Sequence, residues 1–127
     1  MTKLNQAAID GLGNPIIVQK ILDTQKMGGY ENITCYDCSA LVFMVKDKER
    51  NTHPELTNLD AGIAAGMLMS AIAAYGLNSI PLGIFTNPKV DEVLGLESRS
   101  VLMAVAIGKA EGPIPPKVIK NNAKFIE

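Results

Sequence analysis

The segment from Asn58 to Tyr75 constrains the fold of this chain most, because it is apolar on nearly every face of a helix. Leu59, Ile63 and Met67 fall on successive turns, and alanines occupy most of the remaining surface. Gly76 stands where a glycine often ends a helix. A helix that is apolar nearly all round is typical of a protein interior. Its small residues predict that another helix packs closely against it, and a second subunit is one source of that helix.

Two other segments have the length and composition of buried strands. Residues 39–45 (SALVFMV) and 100–107 (SVLMAVAI) are continuous apolar runs bounded by polar or glycine residues. Such runs are typical of strands that are covered on both faces. A shorter piece, 77–85 (LNSIPLGIF), contains a proline and a glycine and is predicted to be extended.

The remaining elements give the order of the fold. Residues 87–94 predict a short helix, because Asn87 is a good N-cap and Pro88 suits the first helical position. Residues 15–27 fit either a helix or a strand, and residues 4–13 are predicted to form a loop or a frayed element. Strands that alternate with helices predict an α/β fold.

Composition narrows the class of protein. A chain of 127 residues is short enough to form one domain, which we expect to cover residues 1–127. With 12 basic and 13 acidic side chains, it lacks the basic surplus of a nucleic-acid-binding protein. No uninterrupted apolar run reaches 18 residues, and the N-terminus lacks the layout of a signal peptide. The expectation is therefore a cytoplasmic protein with no membrane-spanning helix.

Cys35 and Cys38 form the one cysteine motif, a CxxC. A metal site would need a second pair of ligands, and the chain offers one histidine, His53. No metal is predicted, and the favoured interpretation is two reduced cysteines that lead into a strand.

The sequence assigns no catalytic residue. A single histidine in a polar loop gives little basis for a Ser-His or Cys-His mechanism, and no phosphate-binding glycine motif is present. If the protein is an enzyme, a cofactor is expected to carry the reaction while the protein orients it.

The stretch from Leu59 to Gly108 resembles the second half of the nitroreductase family. In that family an Asp-x-Gly-x-Ala helix start leads to a Gly-Leu turn, a short Gly-x-Phe strand, a helix that ends in Leu-Gly-Leu and a last apolar strand. The matching residues here are Asp60, Gly62, Ala64, Leu68, Ala71, Gly76, Leu77, Leu82, Gly83, Phe85, Val90, Leu94, Gly95, Leu96 and Gly108.

The resemblance implies an α+β fold in which helices pack on a small mixed sheet, and a homodimer that binds FMN at its interface. It also implies that NADH or NADPH reduces the flavin, which then reduces a nitro compound, a quinone or a similar acceptor. The family's strand after the Gly-Leu turn passes beside the flavin ring. In this chain that strand corresponds to Pro81, Leu82, Gly83 and Ile84. A glycine there would let the backbone approach the ligand closely, although Pro81 and Gly83 also fit a simple strand bend.

Two further positions follow from the resemblance. Lys117 and Lys120 occupy the stretch where the family places basic residues at the FMN phosphate, and they fit solvated lysines on a polar tail equally well. Asn5 and Gln6 resemble the family's Asn-x-Gln segment, which contacts the polar edge of the ring.

The chain also departs from the family pattern. It has no counterpart of the family's N-terminal helix, which carries an Arg-Ser-x-Arg cluster for the FMN phosphate. The alternative hypothesis is therefore a flavin-free or weakly binding subunit with a structural or partner-binding role. A third hypothesis is a domain that binds a different small ligand and has no redox role.

Overall fold

A three-stranded antiparallel sheet organises the computed structural model, which describes residues 1–110 and residue 112. Within that part of the chain the helices and strands follow one another as α1 (Thr2–Asp10), α2 (Pro15–Gly28), β1 (Ala40–Val45), α3 (Thr57–Ala74), β2 (Asn78–Leu82), α4 (Pro88–Val93) and β3 (Val101–Gly108). Short 3-10 turns at Ile33–Cys35 and Pro54–Leu56 precede β1 and α3.

The strand order is β1-β3-β2, so the last strand in the sequence lies in the centre of the described sheet. Phe43 of β1 and Leu82 of β2 both pair with Ala104 of β3, one on each side. The three predicted strands are confirmed, as is the α+β fold. The sheet is antiparallel and not mixed, because β3 lies between β1 and β2 and runs opposite to both of them.

Burial differs among the predicted strands. β3 is covered on both faces, with Val101, Ala104 and Val105 buried. β1 is only half-buried along most of its length and exposed at its ends. The expectation of complete burial holds for β3 and is wrong for β1, because β1 has just one neighbour in the described sheet.

The N-terminal residues form a helix, where the sequence predicted a loop or a frayed element over residues 4–13. α1 buries Ala7, Ala8 and Ile9 and packs against α4. Short helices depend on tertiary packing for their stability. The polar start of this segment therefore carries little helical signal, because the helix depends on its packing against α4.

The ambiguous segment after it is also helical. Pro15 opens α2, and the Asn14 side chain accepts hydrogen bonds from the backbone of Ile16 at 3.0 Å and of Ile17 at 3.4 Å. An asparagine cap followed by proline satisfies the first free N–H groups of a helix. This local chemistry decides the conformation in favour of the helix.

The long helix α3 is confirmed, and Gly76 follows its end with a positive φ of 72°. It packs on β2 and β3 but buries only Ala65 and Ile72. Three of its six large apolar side chains remain exposed, and Met67 is the most exposed of them at 71%. The residues that the structure describes therefore do not give this helix its predicted burial.

The apolar composition of α3 also meets a criterion for membrane-spanning helices. By length and composition alone, the segment Pro54–Ala74 is sufficient to cross a membrane, with a mean hydropathy of 1.3. The expectation that no segment would meet this criterion is not fulfilled. Core helices of soluble proteins pass the same test.

The main core lies on the face of the sheet covered by α1 and α4. Phe85 and Val90 are completely buried there beside Ala8 and Ala104. Phe43 of β1 meets Phe85 edge to face, with ring centroids 5.8 Å apart. The short piece between β2 and α4 thus supplies the largest buried side chain of this cluster.

A buried carboxylate joins α4 to the start of β3. Asp91 is almost fully buried, and it accepts backbone hydrogen bonds from Arg99 at 2.7 Å and from Val101 at 2.9 Å. These bonds fix the point at which the chain enters the central strand.

We predict that Asp91→Ala lowers the free energy of unfolding by about 3 kcal/mol, because two backbone donors lose a charged acceptor. Chemical denaturation measures this change. The matched control is Glu92→Ala, which removes an exposed carboxylate from the same helix. Equal effects of the two substitutions would contradict the role given to Asp91.

Candidate functional site

A cleft of about 380 Å³ lies beside the end of β2. Pro81, Leu82, Gly83 and Ile84 form one wall. The other walls come from the middle of α2 and from the turn at Ile33–Cys35 with the tyrosine that follows it. The volume is within the range of small-ligand and cofactor sites.

The four residues of this wall, two from the end of β2 and two from the turn after it, contribute different surfaces. Leu82 is buried in the main core and fixes the strand, whereas Pro81 and Gly83 are exposed and Ile84 is half-buried. The resulting wall is apolar and made largely of backbone at Gly83.

Gly83 leaves open space on the cleft wall. A Cβ atom built on it would have no neighbour within 4 Å. Its carbonyl accepts hydrogen bonds from Thr86, at 3.0 Å from the backbone and 2.8 Å from the hydroxyl, which hold the turn after β2. Among the described residues, the N–H groups of Gly83 and Ile84 have no hydrogen-bond acceptor. Two backbone donors are therefore available to a ligand.

Asn5 connects α1 to the cleft. Its buried side-chain oxygen accepts hydrogen bonds from the backbone of Thr34 at 3.0 Å and from the Thr34 hydroxyl at 2.8 Å. Thr34 itself lines the same cleft as residues 81–84. Asn5 thus holds a residue of the cleft in place.

The other predicted site residues lie elsewhere. Gln6 is exposed, donates a hydrogen bond to Asp10 at 2.7 Å and lines a separate groove between α1 and α4. The structure connects Asn5 to residues 81–84 through Thr34, but it does not bring Gln6 to them. Lys117 and Lys120 lie outside the described residues.

No sequence pattern predicts that α2 and the turn before β1 take part in the site. Thr24, Thr34 and Tyr36 line the cleft; the two threonines belong to no motif, and Tyr36 is a variable position of the CxxC. Both Asn5 and Thr34 can form hydrogen bonds, but only the fold shows that they are partners.

The chemical character of the cleft is apolar with a few hydrogen-bonding groups. Its described lining contains hydroxyl groups and backbone donors but no Lys, Arg, Asp or Glu. Within residues 1–110, no three His, Cys, Asp or Glu side chains come together as a metal site. Such a surface suits a flat, largely apolar ring that is oriented by backbone hydrogen bonds.

Comparison with known proteins identifies relatives. A model of the nitroreductase family matches residues 2–109. No protein with a curated description matches significantly.

Solved structures share the fold at low sequence identity. The chain is similar to a nitroreductase with bound FMN from Bacteroides fragilis, with 20% identity and a TM-score of 0.71 over 97% of this chain and 67% of that one. It is similar to an FMN-dependent nitroreductase from Mycobacterium smegmatis in complex with NADPH, with 22% identity and a TM-score of 0.61 over 98% and 73%. It is also similar to an NADPH:FMN oxidoreductase from Vibrio harveyi complexed with NAD+, with 18% identity and a TM-score of 0.56 over 98% and 68%.

We predict that Asn5→Ala lowers the free energy of unfolding by about 2 kcal/mol, because Thr34 loses the acceptor of two buried hydrogen bonds. Thermal and urea denaturation measure the loss. Gln6→Ala is the matched control, since it truncates the neighbouring exposed amide and should leave stability almost unchanged. An Asn5→Ala variant with an unchanged free energy of unfolding would show that the contact with Thr34 does not hold the cleft.

Proposed function

This chain belongs to the nitroreductase family, and from that membership we propose that it is an FMN-dependent oxidoreductase. It takes electrons from NADH or NADPH and passes them to a nitro compound, a quinone or a similar acceptor. The observation that carries the proposal is the apolar cleft at the end of β2, where Gly83 is unobstructed and two backbone donors are free.

The cleft fits the ring of a flavin. Its walls are apolar, and backbone can approach a planar ligand at Gly83 without a side chain between them. When bound, FMN would supply the redox chemistry, because a flavin can accept a hydride and pass electrons to an acceptor. The chain's own residues bind and orient the ring: Pro81 to Ile84 form a wall, and the N–H groups of Gly83 and Ile84 donate to its polar atoms.

The phosphate group of FMN needs a cationic partner, and the described lining of the cleft has none. We assign that role to Lys117 and Lys120, whose charge suits a phosphate. The names of the relatives support the nicotinamide donor, since one relative was solved with NADPH and another with NAD+.

We further propose that the protein acts as a homodimer in the cytoplasm. Leu59, Ile63 and Met67 of α3 are 61%, 55% and 71% exposed, and a large apolar surface of this kind is unfavourable in water. A second copy that covers this face would give α3 the burial that its sequence predicts. The same contact explains the apolar length of the helix without a bilayer.

The rival function is a subunit that binds no flavin or binds it weakly. The absence of a cationic side chain from the described lining of the cleft favours it. Purification decides between the two. A yellow protein, or a colourless one that binds added FMN stoichiometrically and oxidises NADH or NADPH, supports the oxidoreductase. A protein that stays colourless with excess FMN contradicts it, and a different copurifying small molecule would favour a non-redox ligand site.

We predict that Gly83→Val abolishes FMN binding and changes the free energy of unfolding by less than about 0.5 kcal/mol, as for other exposed positions. The branched side chain would occupy the space that the ring requires, while the backbone needs no glycine to fold there. Absorbance titration and thermal denaturation on the same sample measure both quantities.

Gly83→Ala is the graded control, with a smaller side chain and a partial loss of affinity expected. Full flavin occupancy in a folded Gly83→Val protein would remove the site from β2. A large loss of stability would instead support a glycine needed only for the strand bend.

The dimer is tested by Met67→Asp, which places a charge on the exposed face of α3. We expect the dimer dissociation constant to rise about thirtyfold or more, corresponding to about 2 kcal/mol. The matched control is Met27→Asp, because Met27 is 82% exposed at the end of α2. Light scattering over a concentration series measures both variants. A parent protein that is monomeric at micromolar concentration would contradict the assignment.

A further inference from the structure

Cys35 and Cys38 are the first and last residues of a tight turn. The backbone N–H of Cys38 donates to the carbonyl of Cys35 at 3.1 Å. The two residues between them, Tyr36 and Asp37, have φ angles of 54° and 49°. A β-turn with positive φ at both central positions brings its end residues within about 7 Å, between Cα atoms. That limit is close to the upper end of the Cα separations found across disulfides.

The fold holds this turn in an uncommon conformation. The Asp37 carboxylate accepts backbone hydrogen bonds from Glu31 at 3.0 Å and from Asn32 at 2.6 Å. The Cys35 thiol donates to the Asn32 carbonyl at 3.4 Å. Positive φ is uncommon for residues other than glycine, so tertiary contacts must maintain it at two successive positions. The spacing of the two cysteines is therefore imposed by the folded protein.

The two thiols differ in their access to solvent. Cys35 is 1% exposed and belongs to the main core, whereas Cys38 is partly exposed. Both line a second cleft of about 210 Å³, which a small reagent can enter. The flavin site proposed above uses neither sulfur atom, so the pair is free for another role.

We propose that Cys35 and Cys38 form a reversible intramolecular disulfide and so constitute a redox modification site. The oxidant is a low-molecular-weight disulfide. The Cys38 thiolate attacks one of its sulfur atoms, a mixed disulfide with Cys38 forms as the S–S bond of the reagent breaks, and one equivalent of the small thiol leaves. Cys35 then attacks the Cys38 sulfur, the protein disulfide forms and the second equivalent leaves. Two protein thiols lose two protons and two electrons, and the small disulfide is reduced to two thiols.

The environment of Cys35 disfavours the thiolate that the second step requires. Burial raises the pKa of Cys35 to about 11, and the neighbouring Cys38 and the charge of Asp37 act in the same direction. The thiolate is the attacking species, so its fraction rises about tenfold for each pH unit below that pKa. We expect the rate of ring closure to rise with pH in the same proportion between pH 7 and about pH 10.

Thiol counting tests the proposal without reference to flavin, since the chain has two cysteines in total. The protein is equilibrated with mixtures of oxidised and reduced glutathione, quenched with acid, unfolded, alkylated and weighed by mass spectrometry. We expect a species that takes no alkyl group and is lighter than the reduced protein by two hydrogen atoms. Treatment with a reductant should convert this species back to a protein that takes two alkyl groups.

The control is the same chain equilibrated in concentrated urea. Because the fold sets the spacing of the pair, the equilibrium constant for disulfide formation should be at least about tenfold larger in the folded protein. Cys35→Ser should stop at a glutathione adduct on Cys38. Two persistent free thiols, a stable glutathione adduct in the parent chain, or equal constants in buffer and in urea would each overturn the proposal.

Discussion

The pairing of β3 with both other strands is the interaction on which the rest of the structure depends. Neither β1 nor β2 has another partner in the described sheet, so both are held in place by this strand. The main core forms on one face of β3 through Ala104, and α3 packs against the other face through Val105. Asp91 fixes the entry into β3, and through that strand it also positions the end of β2, which forms the cleft wall.

Local chemistry made much of the fold predictable. Continuous apolar runs located β1 and β3, and Asn87 followed by Pro88 located the start of α4. The errors arose where tertiary contacts decide the outcome. α1 is a helix because it packs on α4. The sheet is antiparallel because β3 lies between β1 and β2, and the periodicity of the sequence does not predict that position.

The candidate site divides in the same way. The β2 segment was predicted from its resemblance to the nitroreductase family, and the open surface at Gly83 is consistent with that prediction. Thr34 and Tyr36 were missed, because they lie in the turn before β1. Asn5 holds Thr34 in that turn from 29 residues away in the sequence, and Asp37 accepts a hydrogen bond from Asn32 that holds the turn at positive φ. A sequence motif records residue types and their spacing, whereas this half of the site depends on hydrogen bonds that form only in the folded protein.

The central position of β3 also determines when the protein can fold. β1 and β2 leave the ribosome first, and each exposes an unpaired apolar edge until the last strand of the sheet has been made. Contacts between segments far apart in sequence form slowly, because a long loop must close before they contribute. During synthesis the chain therefore exposes unpaired, aggregation-prone strand edges and the apolar face of α3 at the same time. Its yield in cells should depend on chaperones that shield these surfaces until residue 108 is available.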